Sequence, residues 1–170
     1  MKKILITGGA GFIGSNSALT FARHGWQIYL IDNLSRKGGK IKLTNLKKKI
    51  KFKFYNCDIE NIKKLSSIIN KIKPQLIIHC AGQVAVTTSV KNPRFDFNSN
   101  ATGTLNVLES IRLYSKKSKL IFLSTNKVYG DVSNRLIKSN KKRYSFIGKL
   151  KNIDENYPLD LHSPYGCSKG

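Results

Sequence analysis

The chain has 170 residues, 40% of them apolar, and carries 31 Lys and Arg against 9 Asp and Glu, a formal net charge of +22. This length suits one domain with a real core, burying roughly 70% of its unfolded surface, and no apolar run approaches membrane-spanning length. The cysteines, Cys57, Cys80 and Cys167, form no Cys-x-x-Cys or Cys/His cluster, which argues against a disulfide framework or a metal site and fits a reducing, cytoplasmic setting.

Met1-Lys2-Lys3 and the apolar run behind it imitate a signal peptide, but Gly8, Gly9 and Gly11 break that run after a few residues. Ile4-Leu5-Ile6 instead predicts a strand over 3–6, followed by Thr7-Gly8-Gly9-Ala10-Gly11-Phe12-Ile13-Gly14 and a helix over 12–24. Strand, glycine turn and helix form the arrangement that holds a dinucleotide pyrophosphate. Gly8 permits a tight turn with positive φ. Gly11 lets backbone approach the phosphates, and Gly14 lets helix and strand pack closely. The free N–H groups and positive dipole end of the helix face the anion. An ordinary glycine-rich turn is the alternative. The context favours the dinucleotide, because Asp32 ends the next apolar run, a strand over 27–31. A carboxylate there suits the two ribose hydroxyls of NAD and repels a 2′-phosphate; Arg36 and Lys37 would instead welcome the phosphate of NADP.

Further strands are predicted over 51–54, 75–79 and 119–123, with helices over 60–72 and 94–115 and a short one near 40–47. This alternation predicts an α/β fold, a doubly wound, Rossmann-like parallel sheet with helices on both faces. Lys51-Phe52-Lys53-Phe54 alternates instead of staying apolar, which places it near a sheet edge. The basic clusters at 47–49, 116–119 and 141–143 carry no interleaved aromatics. They predict a scattered basic surface that recruits anionic small molecules, with no specific nucleic-acid partner and no membrane insertion.

Residues 131–160 are rich in Lys, Asn and Ser and predict no definite element. A connection this long is a mobile surface excursion or a lid over a substrate. Ser163-Pro164 then reads as an N-cap with proline at the first helical position. The helix it opens carries Tyr165 and Lys169 and reaches Gly170 in its second turn. The expectation is an incomplete N-terminal domain over 1–170, cut after the fifth strand and the start of the catalytic helix, without a C-terminal substrate domain. Tyr165 and Lys169, four apart, share one helical face. A lysine ammonium beside a phenol favours phenolate, and a phenol with the ordinary pKa of about 10 is a poor base at neutral pH. A chance pair on an exposed helix is the alternative. Thr125, at the end of the fifth strand, sits where doubly wound folds bind ligands.

Thr7 to Gly14, Asp32, the run 124–130 and Tyr165-Gly166-Cys167-Ser168-Lys169 together resemble an extended short-chain dehydrogenase/reductase over essentially the whole chain. The segments 81–89, 124–131 and 161–170 resemble the nucleotide-sugar epimerases, and within them the CDP-paratose 2-epimerase (CDP-tyvelose epimerase) group. The resemblance implies NAD as cofactor, a nucleotide-sugar substrate, a homo-oligomer at full length, and Thr125, Tyr165 and Lys169 as catalytic residues. Tyr165 would accept a sugar hydroxyl proton and Lys169 would also hold the nicotinamide ribose. For the cofactor it implies backbone N–H groups of Phe12 and Ile13 on the pyrophosphate and Asn33 and Ser35 beside the adenine ribose. Asp58 and Ile59 would meet the adenine, and Ala81 and Gly82 the nicotinamide side, with Asn100 a structural asparagine nearby. Asp58 as an N-cap and Asn100 as a helix-surface group remain alternatives. Sugar-nucleotide 4,6-dehydratases carry Asp-Glu where this chain has Asn126 and Lys127, which speaks against water elimination. Gln83, Thr87, Thr88, Asn126 and His162 are candidate substrate contacts, although Thr87 and Thr88 could merely cap a turn and a lone histidine is often structural. A 4-epimerase acting on a UDP-hexose and an NAD-binding fragment without turnover stay open.

Overall fold

The structure, a computed structural model, describes residues 1–130, 137–147 and 152–170. Five parallel strands form one sheet in the order β3-β2-β1-β4-β5: β1 Lys3–Thr7, β2 Gln27–Asp32, β3 Phe52–Asn56, β4 Leu76–His79 and β5 Lys119–Phe122. Helices α1 Phe12–Arg23, α2 Gly39–Lys47 and α3 Ile62–Ile72 connect the first four strands. The central strands are continuously apolar because both of their faces are covered. Ile4, Ile6, Ile28, Leu30 and Ile78 point to one face and pack with Ala18 of α1 and Leu43 and Leu46 of α2. Leu5, Tyr29, Ile31 and Ile77 point to the other face. There they meet Leu65, Ile68, Ile69 and Ile72 of α3, whose spacing draws one apolar stripe along a helix. Each such side chain stabilises by about 1.5–3 kcal/mol when fully buried. The doubly wound sheet expected from the sequence is therefore present, and β3, with its alternating lysine, lies at the edge.

The segment expected as one helix over 94–115 is broken. It consists of α5 Pro93–Phe97, a π-helical turn Asn98–Thr102 and α6 Gly103–Tyr114. Two sets of anchors meet at the break. Asp96 and Asn100 bond toward the C-terminal helix, while Asn106 donates to the carbonyls of Ile59 and Glu60 after β3. The wider turn lets one helical run serve both. A short helix α4, Val86–Lys91, precedes α5; its β-branched composition gives no helical signal.

Within 131–160 the chain forms an antiparallel hairpin, β6 Ile137–Ser139 with β7 Tyr144–Phe146. Asn140 closes its turn, the side-chain oxygen accepting from the N–H groups of Lys142 and Arg143 at 3.2 and 3.0 Å. The expectation of a lid or a surface excursion falls partly on residues outside the described ones. The last helix, α7 Pro164–Lys169, begins as expected: Ser163 Oγ accepts from Gly166 N–H at 3.0 Å and Pro164 holds the first position.

Candidate functional site

The carboxyl ends of β1, β2 and β4 open on one cleft, and the glycine turn forms its floor. Gly8 has φ +66°, and a Cβ there would come within 2.7 Å of Ala81 N. A Cβ on Gly14 would lie 2.3 Å from the Gly8 carbonyl oxygen. Gly14 therefore abuts the turn itself rather than the strand that the sequence suggested. The close approach to β2 falls instead to Gly9, where a Cβ would meet that of Leu30 at 2.7 Å. The first bond of α1 runs from Ser15 N–H to Gly11 O at 3.1 Å, which leaves the amides of Phe12 and Ile13 ahead of the helical ladder. The side chains of these two residues are exposed, so their contribution to a bound anion is backbone N–H.

Asp32 at the end of β2 braces this turn. Its Oδ2 accepts from Ala10 N–H at 3.0 Å and its Oδ1 from Leu34 N–H at 2.8 Å. Asn33 donates to Asp58 Oδ2 at 2.7 Å and accepts from Ser35 N–H at 3.0 Å. Asp58 also accepts from Glu60 N–H at 2.9 Å. The N-cap of α3 is Asn61, whose oxygen accepts from Lys64 N–H, so the capping alternative for Asp58 does not hold. Gly8, Gly11, Asp32, Asn33, Ser35, Asp58, Ile59, Ala81 and Gly82 all line the cleft; Arg36, Lys37 and Lys42 add positive charge to its wall. A glycine floor filled by any added Cβ, paired free amides and a fixed carboxylate on the adjoining strand fit a dinucleotide.

The other wall carries a buried polar relay that sequence reasoning missed. Ala81 N–H donates to Thr7 Oγ1 at 3.2 Å, and that hydroxyl lies 2.6 Å from His79 Nδ1. His79 Nε2 lies 3.0 Å from Thr104 Oγ1, which itself donates to Asn100 O. The chain of donors assigns the His79 proton to Nε2. Burial pulls the His79 pKa down to about 4, and the positive charge of Lys169 acts in the same direction. His79 is thus a neutral tie between the Ala81–Gly82 backbone and the π turn. Asn100 is 1% exposed, not a surface group. Its Oδ1 has no hydrogen-bond partner among the described residues and faces Gly82, where a Cβ would come within 2.5 Å of it.

Beyond β4 lie the three residues expected to act on the substrate, Thr125, Tyr165 and Lys169. Thr125 lies three residues past β5 and caps a 3-10 turn, Asn126–Tyr129, its Oγ1 accepting from Lys127 N–H at 3.2 Å. That turn packs on α7, where a Cβ on Gly166 would meet Lys127 O at 2.9 Å. Tyr165 is buried, and its N–H donates to Ser89 Oγ of α4 at 3.2 Å. The Lys169 ammonium stands 4.2 Å from the Phe122 ring centroid. Burial pulls its pKa below the ordinary value, and the nearby Asp96 carboxylate opposes that fall. Cys80, which lines the cleft, is pushed by burial to about 11.

The substrate candidates divide. Thr87 and Thr88 are exposed on α4 rather than capping a turn. Asn126 is exposed beside Thr125. His162 is exposed, its ring 4.0 Å from the Asp160 carboxylate. Gln83 is buried, and its amide is engaged by Ala85 N–H, Ala85 O and Asp96 Oδ1. Its observed work is to hold the loop after β4.

A profile of the family described as GDP-mannose 4,6 dehydratase matches residues 5–170. The chain belongs to that family. Among its relatives, CDP-paratose 2-epimerase of Salmonella typhi is 46% identical over 99% of this chain and 50% of its own length. The UDP-Glc/GlcNAc 4-epimerase of Campylobacter jejuni superposes with a TM-score of 0.83 at 32% identity, over 99% of this chain and 46% of that one. The UDP-glucose 4-epimerase of Thermus thermophilus, solved as a complex with NAD, gives a TM-score of 0.78 at 29% identity over 98% and 47%. The chain thus spans about half the length of the relatives it matches. Family membership bears out the resemblance read from the glycine turn and the Tyr165/Lys169 helix. Among the described residues of this family member, no helix is long and apolar enough to cross a membrane.

Proposed function

We propose that the chain is the dinucleotide-binding domain of an NAD-dependent nucleotide-sugar epimerase. It would act by transient oxidation of one sugar carbon to a ketone, with CDP-paratose converted to CDP-tyvelose at carbon 2. One arrangement carries this reading: α7, bearing Tyr165 and Lys169, packs on the turn capped by Thr125, at the edge of a cleft suited to a dinucleotide. The higher identity to the CDP-paratose 2-epimerase supports the choice of sugar.

NAD bound in the cleft supplies reversible hydride chemistry. The amides of Phe12 and Ile13, over Gly8, Gly11 and Gly14, hold its pyrophosphate. Asp32, Asn33 and Ser35 hold the adenine ribose, and Asp58 and Ile59 bound the adenine. Ala81 and Gly82, backed by Asn100, border the nicotinamide half. Tyr165 takes the proton of the reacting sugar hydroxyl and returns it when the carbon is reduced again from the other face. Lys169, four residues further along α7, would hold the nicotinamide ribose. Thr125 hydrogen-bonds the reacting oxygen. Thr87, Thr88, Asn126 and His162, all exposed near this end, reach the sugar nucleotide. Asn126 and Lys127 supply no carboxyl pair for elimination, and no outside reductant is consumed.

A second reading, 4-epimerisation of a UDP-hexose, is favoured by the structural neighbours. Incubating the protein with NAD and either CDP-paratose or UDP-glucose, with products resolved by NMR, separates the two. CDP-tyvelose without net NADH supports the first reading, and UDP-galactose supports the second. NAD binding without turnover of either sugar reduces the chain to a cofactor-binding module. Water elimination, or failure to bind NAD, overturns the proposal.

A further inference from the structure

Asp96 is fully buried, yet among the described residues no cation comes within salt-bridge distance of it. An isolated carboxylate there would be costly to ionise, so its partners matter. Oδ2 accepts from Ser168 Oγ on α7 at 2.5 Å. Oδ1 accepts from Gln83 Nε2 at 2.6 Å and, more weakly, from Asn100 Nδ2 at 3.4 Å. Asn100 Nδ2 also donates to Ser168 Oγ at 3.0 Å. One carboxylate thus joins the loop after β4 and the π turn to the C-terminal helix, 72 residues away. Ser168 lies between Tyr165 and Lys169, and its hydroxyl is also 3.2 Å from Tyr165 O.

Resting on the reading of Tyr165 and Lys169 given above, we propose that Asp96 is a positioning residue that fixes α7 against the cofactor loop 81–85. Two side-chain bonds tie α7 to the rest of the domain: the Asp96–Ser168 bond on one flank and Ser89 Oγ under Tyr165 N–H on the other. Because Gln83 shares the carboxylate, the loop that borders the nicotinamide half and the helix that bears the proton acceptor are held by the same group. The negative charge also faces Lys169 and opposes the loss of its proton.

The test uses the whole 170-residue chain, isotopically labelled, with Asp96→Asn and Ser168→Ala. Asp96→Asn keeps the shape and removes the charge; Ser168→Ala keeps the charge and removes the bond. Amide hydrogen exchange is read for α7, for the loop 81–85 and, as the control for global stability, for α3. The Lys169 titration is followed by NMR of its ε carbon. Ser168→Ala is expected to speed exchange in α7 about ten- to hundredfold, the worth of one hydrogen bond to a charged group, with α3 unchanged. Asp96→Asn is expected to speed exchange in α7 and loop 81–85 together and to move the Lys169 titration to lower pH, whereas Ser168→Ala leaves that titration in place. If Asp96→Asn does not fold, the Ser168→Ala exchange pattern alone decides. Unchanged exchange in α7, or loss spread equally over α3, overturns the proposal. Addition of NAD keeps the two readings apart: anchored α7 with no NAD-induced shift at Tyr165 or Lys169 refutes the site assignment and leaves the anchor standing.

Discussion

Gly14→Ala is a demanding test of the cleft. The added methyl carbon would stand 2.3 Å from Gly8 O, 2.9 Å from Gly8 C and 3.0 Å from Gly9 Cα, all backbone atoms of the turn, where ordinary contact starts at 3.4 Å. No flexible side chain can yield, so α1 or the turn must move by about 1 Å. Alanine is favoured over glycine inside a helix by about 1 kcal/mol, whereas forced overpacking costs about 1–3 kcal/mol. The net effect on stability is small, between zero and a loss of about 2 kcal/mol. The effect on the ligand is larger. Displacing the amides of Phe12 and Ile13 weakens two hydrogen bonds to a charged group, each worth about 1.5–3 kcal/mol. At 1.4 kcal/mol per factor of ten, NAD binding should weaken at least a hundredfold. Asn61→Ala is the control for a loss of stability outside the cleft, since Asn61 caps α3 and does not line the cleft. Titration calorimetry with NAD and urea denaturation of both variants give the two numbers. NAD affinity in Gly14→Ala equal to that of wild type would refute the cradle argument.

Other expectations follow from the same geometry. His79, whose pKa is held near 4 against an ordinary 6.5, binds a proton in the unfolded chain before it does in the folded one. Stability should therefore fall as pH drops from 6.5 toward 4, by about 3 kcal/mol from this group, and His79→Gln should remove that part of the slope in urea unfolding across the range. Asn61→Ala removes the side-chain cap of α3 and should cost about 1 kcal/mol in the same assay, without affecting NAD affinity. If the proposed epimerase reading holds, Tyr165→Phe should retain NAD, read by calorimetry, and lower turnover by about 10²–10⁴-fold.

Much of the frame was legible because its signals are local. Apolar runs such as Ile28 to Ile31 declare buried strands, the lysine in β3 declares an edge, and Ser163-Pro164 declares a helix start. The cleft was legible for the same reason, since Gly8 to Gly14 and Asp32 sit in two adjoining strand ends. The rest depends on partners distant in sequence. Asp96 meets Ser168 across 72 residues and His79 meets Thr104 across 25, and nothing beside either residue announces the bond. Gln83 looked available because its acceptor, Asp96, is thirteen residues away. The break at Asn98–Thr102 was hidden too, because it answers competing anchors on α3's approach and on α7, not local propensity.

The strand order has a consequence for biogenesis. β1 lies between β2 and β4, so the chain winds outward one way through β3 and then crosses back to start the other side. The floor and one wall of the cleft are complete once about sixty residues have been made, but the facing wall needs residues Cys80 to Gly82. A ribosome-tethered chain stopped before β4 should release nucleotide freely, and one extended past Gly82 should begin to retain it. Ligand capture would then report, during synthesis, that both arms of the sheet have docked.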